Sequence, residues 1–153
     1  MNPPISHAPA PPWREGWRQL YGDFERLGLS VEWHDFRPAQ PLNWGETFRP
    51  RSVEFCLNLE GRGVIGARSQ GDYIAGSSGY YAVADGPLPA SRRGGERHQF
   101  VTLEFSRAQL QRQLADCEAD LDPQLRRAVF AEETRNIVST PRPMAPEQRS
   151  VVA

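Results

Sequence analysis

Val53-Glu-Phe55-Cys-Leu57-Asn-Leu59-Glu60 alternates apolar and polar side chains without a break. A strand sends successive side chains to opposite faces. Val53, Phe55, Leu57 and Leu59 therefore share one face, and Glu54, Cys56, Asn58 and Glu60 the other. A helix would scatter these residues around its circumference. Gly61-Arg62-Gly63 interrupts the run and Val64-Ile65 resumes it, which predicts a hairpin. Upstream, Leu29-Ser-Val31-Glu-Trp33-His34 alternates in the same way. Downstream, Tyr73–Ala75, Tyr80–Val83 and His98–Phe105 are short strand candidates. Nine of the 13 glycines fall between Gly61 and Gly95, at the breaks between these runs. Short strands punctuated in this manner predict an all-β sandwich or barrel.

Helical spacing flanks the strands. Trp13, Trp17, Leu20, Tyr21, Phe24 and Leu27 recur at that spacing, with Gly28 placed to cap the end, so a helix is expected there. Gly16 and Gly22 inside it each cost about 1 kcal/mol relative to Ala. Ser106 with Gln109 fits a capping box ahead of Leu110 and Leu114. Asp122-Pro123 is a second helix start, and Pro146-Glu147-Gln148 a third. Residues 1–12 carry five of the 14 prolines and read as a flexible arm. Residues 13–138 read as one domain. Residues 139–153 read as a linker and the start of a helix cut short at Val151-Val152-Ala153, as in a fragment of a longer protein.

Composition narrows the function. At 153 residues, 39% hydrophobic and 24% charged, the chain suits one globular domain. Eighteen Arg and no Lys stand against 19 acidic residues, a net charge of −1, whereas a free-standing nucleic-acid binder carries a basic excess. No apolar run approaches the length of a membrane span. Two cysteines and an N-terminus without a signal-peptide pattern predict a cytoplasmic protein with reduced thiols.

Catalytic signatures are missing. His7, His34 and His98 lack the spacing that places two imidazoles on one metal, so they read as structural or surface residues. Gly76-Ser-Ser-Gly79 lacks the Lys and helix of a phosphate loop and reads as a turn. Arg92-Arg93-Gly-Gly-Glu-Arg97 reads as a solvated loop. No catalytic residue, metal site or cofactor is expected.

Three segments together resemble the N-terminal sensor domain of AraC-type bacterial transcriptional regulators, in the branch containing siderophore-responsive members. They are Ser52-Val-Glu-Phe-Cys-Leu-Asn-Leu-Glu-Gly61, His98-Gln-Phe-Val-Thr-Leu-Glu-Phe-Ser106 and Arg142-Pro-Met-Ala-Pro-Glu-Gln-Arg-Ser-Val-Val152. The resemblance implies a mainly β chain, a cupin-like β-barrel or jelly roll with flanking α-helices. It implies an effector-sensing or dimerisation domain rather than an enzyme. DNA would be bound only through C-terminal helix-turn-helix units absent from this chain, and the full-length protein could form a homodimer. The metal-cupin motif, a glycine followed by H-x-H and a Glu, is missing, which weighs against a metal-dependent dioxygenase or isomerase. A stand-alone small-molecule-binding module is the third reading. An effector is expected inside the barrel against Trp33, Phe55 and Tyr81, whose rings can stack on a planar ligand. Parity directs Leu29, Val31 and Trp33 inward to meet Val53, Phe55, Leu57 and Leu59, with Tyr81 and Val83 inward from a later strand.

Overall fold

The alternating stretch forms β4 (Ser52–Glu60), and it lies inside a sheet. It pairs antiparallel with β9 (His98–Ser106) on one side and β7 (Ser77–Val83) on the other. β9 continues to β2 (Leu29–Phe36) and β2 to β1 (Trp17–Asp23). The far edge of β7 carries two short strands, β10 (Ile137–Val138) and β11 (Arg142–Pro143). A second sheet runs β3 (Leu42–Asn43), β8 (Ala90–Arg92), β5 (Gly63–Ile65) and β6 (Gly71–Tyr73). This computed structural model describes residues 11–132 and 135–153; His7 and all but the end of the Pro-rich arm lie outside the described residues. Among the described residues no helix is long and apolar enough to cross a membrane.

The two sheets pack face to face around Phe36, Cys56, Tyr81, Val83 and Phe100 from the large one and Ile65, Tyr73 and Ala90 from the small one. Trp44 and Leu88 complete this core from the connecting loops. The result is the expected mainly β, cupin-like barrel with flanking helices. The outer face of the large sheet is also covered. α3 (Arg107–Leu114) and α4 (Pro123–Phe130) bury Leu110, Ala128 and Val129 against Val53 and Ala82. Lower on the same face, Met144 closes over Leu57 and Val101 at the approach to α5 (Pro146–Val151). The helix starts are those expected. Ser106 accepts a hydrogen bond from the Gln109 N–H at 3.1 Å, and Asp122 accepts from Gln124 and Leu125.

Three expectations need correction. Residues 13–27 do not form one helix. They form α1 (Pro12–Glu15), the strand β1, and one helical turn, α2 (Phe24–Leu27), capped by Asp23 and by Gly28 in the left-handed region. β1 requires its glycines. A Cβ at Gly16 would overlap the Asp35 carbonyl, and Gly22 at φ +85° lies against the Leu29 carbonyl. A register shift between Gln19 and Tyr21 breaks the period-two pattern, which is why the apolar spacing there imitates a helix.

The predicted hairpin at Gly61–Gly63 is a crossing between sheets, since β5 pairs with β6 and β8 and not with β4. Gly61 turns at φ +86° with the His98 ring against it, and Asn58 donates to its carbonyl at 2.8 Å.

The third correction concerns direction. Val53, Phe55, Leu57, Val31 and Trp33 face outward to the helices and the C-terminal segment, not into the barrel. Glu54, Cys56 and Asn58 are the lumen residues. Alternation shows that two faces differ, but not which one a second sheet will cover; here the helices supply the apolar cover. Tyr81 and Val83 do face inward, and Tyr80 and Ala82 outward.

Candidate functional site

Strand register arranges the lumen in rows. Ser30, Glu104, Glu54 and Tyr81 lie side by side across β2, β9, β4 and β7. Two residues along, the row is Glu32, Thr102, Cys56 and Gly79. Two further, it is His34, Phe100, Asn58 and Ser77. Gly79 is needed in the second row because a Cβ there would lie 2.6 Å from the Tyr73 hydroxyl.

The first row sets two carboxyl groups directly opposite each other, an arrangement that repels when both are charged. Burial pushes the Glu54 carboxyl well above its ordinary value, and the charge of Glu104 adds to this. Glu54 therefore holds the proton and donates it in a hydrogen bond to Glu104. Glu54 Oε1 accepts from the Tyr81 hydroxyl. Burial also raises Glu104, while Arg49 donates to its Oε1 at 2.8 Å and holds the negative charge in place. Arg49 in turn lies over the Phe24 ring, 4.5 Å from its centroid. A fixed chain, Tyr81–Glu54–Glu104–Arg49, thus spans the lumen floor.

His34 occupies the third row, 2% exposed, with Nε2 3.0 Å from Thr102 Oγ1 and 3.6 Å from Glu32 Oε2. Burial, and then the charge of Arg92, lowers its pKa to about 3, so the ring is neutral. It stacks on Phe100 at 4.4 Å and meets the Trp44 ring edge-on at 5.1 Å. His34 Nδ1 and Trp44 Nε1 are both buried and have no hydrogen-bond partner among the described residues.

Above these rows opens a cavity of about 490 Å³, a size found in small-molecule sites. It is lined by Glu32, His34, Glu54, Thr102 and Glu104 with Arg49, and by Trp13, Arg14, Trp17, Trp44 and Glu46. Of the three residues proposed to line a ligand site, Tyr81 is in the lumen beneath this cavity, hydrogen-bonded to Glu54. Trp33 and Phe55 lie on the other side of the sheet. They line an outer groove with Leu20, Leu57 and Val152, so the three are not brought together.

Arg92 was expected in a solvated loop and is 3% exposed inside the barrel. Its guanidinium lies over the Phe100 ring at 3.7 Å and donates to Asn58 Oδ1 at 2.7 Å. The period of β8, three residues long, was too short to read. Arg97 remains outside and forms a two-pronged pair with Asp35. Cys56 is a buried thiol pushed up to about 12 by desolvation. Among the described residues no three His, Cys, Asp or Glu side chains converge as a metal site.

Glu32, Glu54, Glu104 and Arg49 were not among the residues expected at a site, and His34 was expected only as a structural or surface residue. The available signal was the polar half of each alternating strand: Glu54-x-Cys56-x-Asn58, Glu32-x-His34 and Thr102-x-Glu104 place titratable groups on one face of three strands.

No protein-family model matches the chain, and comparison with curated proteins finds no match. Solved structures do resemble it. The Cupin_2 domain of an XRE-family transcriptional regulator from Enterobacter cloacae is 13% identical, with a TM-score of 0.44 over 58% of this chain and 93% of that one. A cupin 2 conserved barrel protein from Salinispora arenicola is 17% identical, with a TM-score of 0.43 over 65% and 82% of the two chains. Ectoine synthase from P. lautus is 19% identical, with a TM-score of 0.39 over 64% and 72%. The barrel is read above from strand order; at these scores the likenesses carry no argument.

Proposed function

We propose that this barrel is the small-molecule-sensing domain of a bacterial transcriptional regulator, of the AraC type that its sequence resembles. The observation that carries the reading is the open cavity over a buried, hydrogen-bonded polar floor. Polar residues at this depth are costly unless something uses them. A floor fixed from Tyr81 to Arg49 presents a preorganised surface to a ligand. In this reading DNA is contacted by helix-turn-helix units outside this chain, and occupancy of the lumen alters their disposition in a dimer.

A second reading rests on Glu54 beside Glu104. A protonated acid next to a carboxylate, in a cavity, is the pairing that proton-transfer catalysis uses. One experiment separates the two. Glu32→Gln and Glu54→Gln are introduced on the chromosome, and transcripts and metabolites are profiled together. The sensor reading expects a small set of promoters to lose their response while metabolite pools hold. Accumulation of one metabolite with transcripts unchanged would favour the enzyme.

A further inference from the structure

Acidic side chains outnumber basic ones around the cavity. Glu32, Glu46, Glu54 and Glu104 line it with four carboxyl groups against the guanidiniums of Arg14 and Arg49, and Arg49 is bonded to Glu104 at 2.8 Å. Glu32 has Ser30 and His34 as its partners, a hydroxyl at 3.0 Å and a neutral ring at 3.6 Å. Neither carries a positive charge. Glu46, at the mouth, is bonded to the Asn43 amide, also neutral.

His34 adds an independent observation. The Glu32 carboxylate 3.6 Å from Nε2 favours the proton there, where Thr102 Oγ1 accepts it at 3.0 Å, and this leaves Nδ1 as a bare lone pair. A lone pair buried without a partner accepts from an N–H or O–H donor. The walls are aromatic: Trp13 and Trp44 meet edge to face at 6.2 Å, and Trp17 stands beside them. Indole faces attract cations.

Carboxylates below, an unused acceptor at their side and indoles above define one chemistry. We propose that the cavity binds an organic cation carrying N–H donors, an ammonium or guanidinium head on an apolar stem. The head lies among Glu32, Glu54 and Glu104, and the stem lies against Trp13 and Trp44. The inference rests on the sensing reading for its biological purpose, but its own test is direct binding. An entering cation adds a positive charge beside Glu32, which the Arg49 guanidinium reaches through space without a hydrogen bond, and favours ionisation of Glu54, so binding should release a proton and tighten as pH rises.

The experiment titrates the purified chain with agmatine, 1,4-butanediol and succinate, which offer cationic, neutral and anionic ends on short aliphatic stems. Calorimetry is run at pH 6 and pH 8, with tryptophan emission as a second readout. Agmatine is expected to bind at least about tenfold tighter than either competitor, and tighter at pH 8. Glu32→Gln, which keeps the oxygen that accepts from Ser30, is expected to remove that preference. Equal or tighter binding of butanediol or succinate, or no binding of agmatine, would overturn the inference in the unsubstituted protein, whatever the variant does. Agmatine binding without any transcriptional consequence would leave the cation site standing and remove the sensor reading instead.

Discussion

On its outer face the large sheet offers Val53, Leu57 and Val101 to helices and to Met144; on its inner face the same strands offer Glu54, Asn58 and Thr102 to a second sheet. Both faces are buried, but by different means. The outer contacts are apolar and non-directional, and need only shape and volume. The inner face adds directional contacts to its apolar core, and there polar groups depend on named partners: Asn58 on Gly61, Ile74 and Arg92, Glu104 on Arg49, His34 on Thr102. The difference teaches where specificity is stored. An outer residue can be exchanged for another apolar one of similar size, whereas a hydrogen-bonded inner one cannot be changed without leaving a partner unmet.

The largest test sets one face against the other. Phe100 is fully buried in the lumen, stacked on His34 and under Arg92. Phe100→Ala should cost about 3–5 kcal/mol in urea unfolding, because it leaves a cavity and strips a buried cation of its ring. Leu57→Ala on the outer face should cost less, about 2–3 kcal/mol. The reverse order would break the contrast.

The next test uses pH, where two inner residues act in opposite directions. His34 is neutral when folded, with its pKa lowered to about 3 from 6.5. Below 6.5 the unfolded chain binds more protons, so this contribution is complete above 6.5 and is lost as pH falls toward 3. Glu54 is raised from 4.5, so the folded chain holds its extra proton and stability falls as pH rises above 4.5. Between pH 4.5 and 6.5 the two offset each other. Glu54→Gln, whose amide can donate to Glu104 and whose oxygen can accept from Tyr81, should expose the acid limb of His34. Its thermal unfolding should then show a loss on the order of 2 kcal/mol from pH 6.5 down to 4.5.

The same variant gives a smaller effect at pH 8. Its neutral amide mimics the protonated acid at every pH, so the variant should be more stable than the parent there, on the order of 1–2 kcal/mol. A loss of stability at pH 8 would show that Glu54 does not hold the proton.

Trp33 gives the smallest effect. It is half-buried in the outer groove. Trp33→Ala should lower stability by about 1 kcal/mol and leave agmatine binding within about twofold of the parent in the same calorimetric assay. A loss of binding would place the ligand on the outer face and invert the contrast.

Much of this architecture is legible in the residues themselves. The strands at Leu29, Ser52 and His98 and the Tyr80–Val83 half of β7 follow from period-two alternation, and the starts of α3 and α4 from Ser106 and Asp122, whereas Ser77–Gly79 open β7 in place of the expected turn. What alternation cannot convey is which side of a sheet another layer will cover. That depends on residues 107–152, whose apolar side chains meet Val53 and Leu57 only in three dimensions. β1 was hidden by its register shift, and Arg92 by the shortness of β8. Most of the candidate site was written as polar residues on alternating strands, a pattern that reads as solvent-facing until a second sheet closes over it.

Arg92 has a consequence for how anything sits inside the barrel. It touches Asn58 and His98, while Glu54 lies four residues back along the same strand as Asn58, roughly 13 Å away at strand rise. The lumen therefore carries Glu32 and the Arg49-paired Glu104 toward one end and the buried guanidinium of Arg92 toward the other. Such an axis exerts a torque. A molecule with unlike ends is turned so that its positive end faces Glu32, and because the interior excludes mobile ions, added salt screens its approach to the mouth far more than its orientation within.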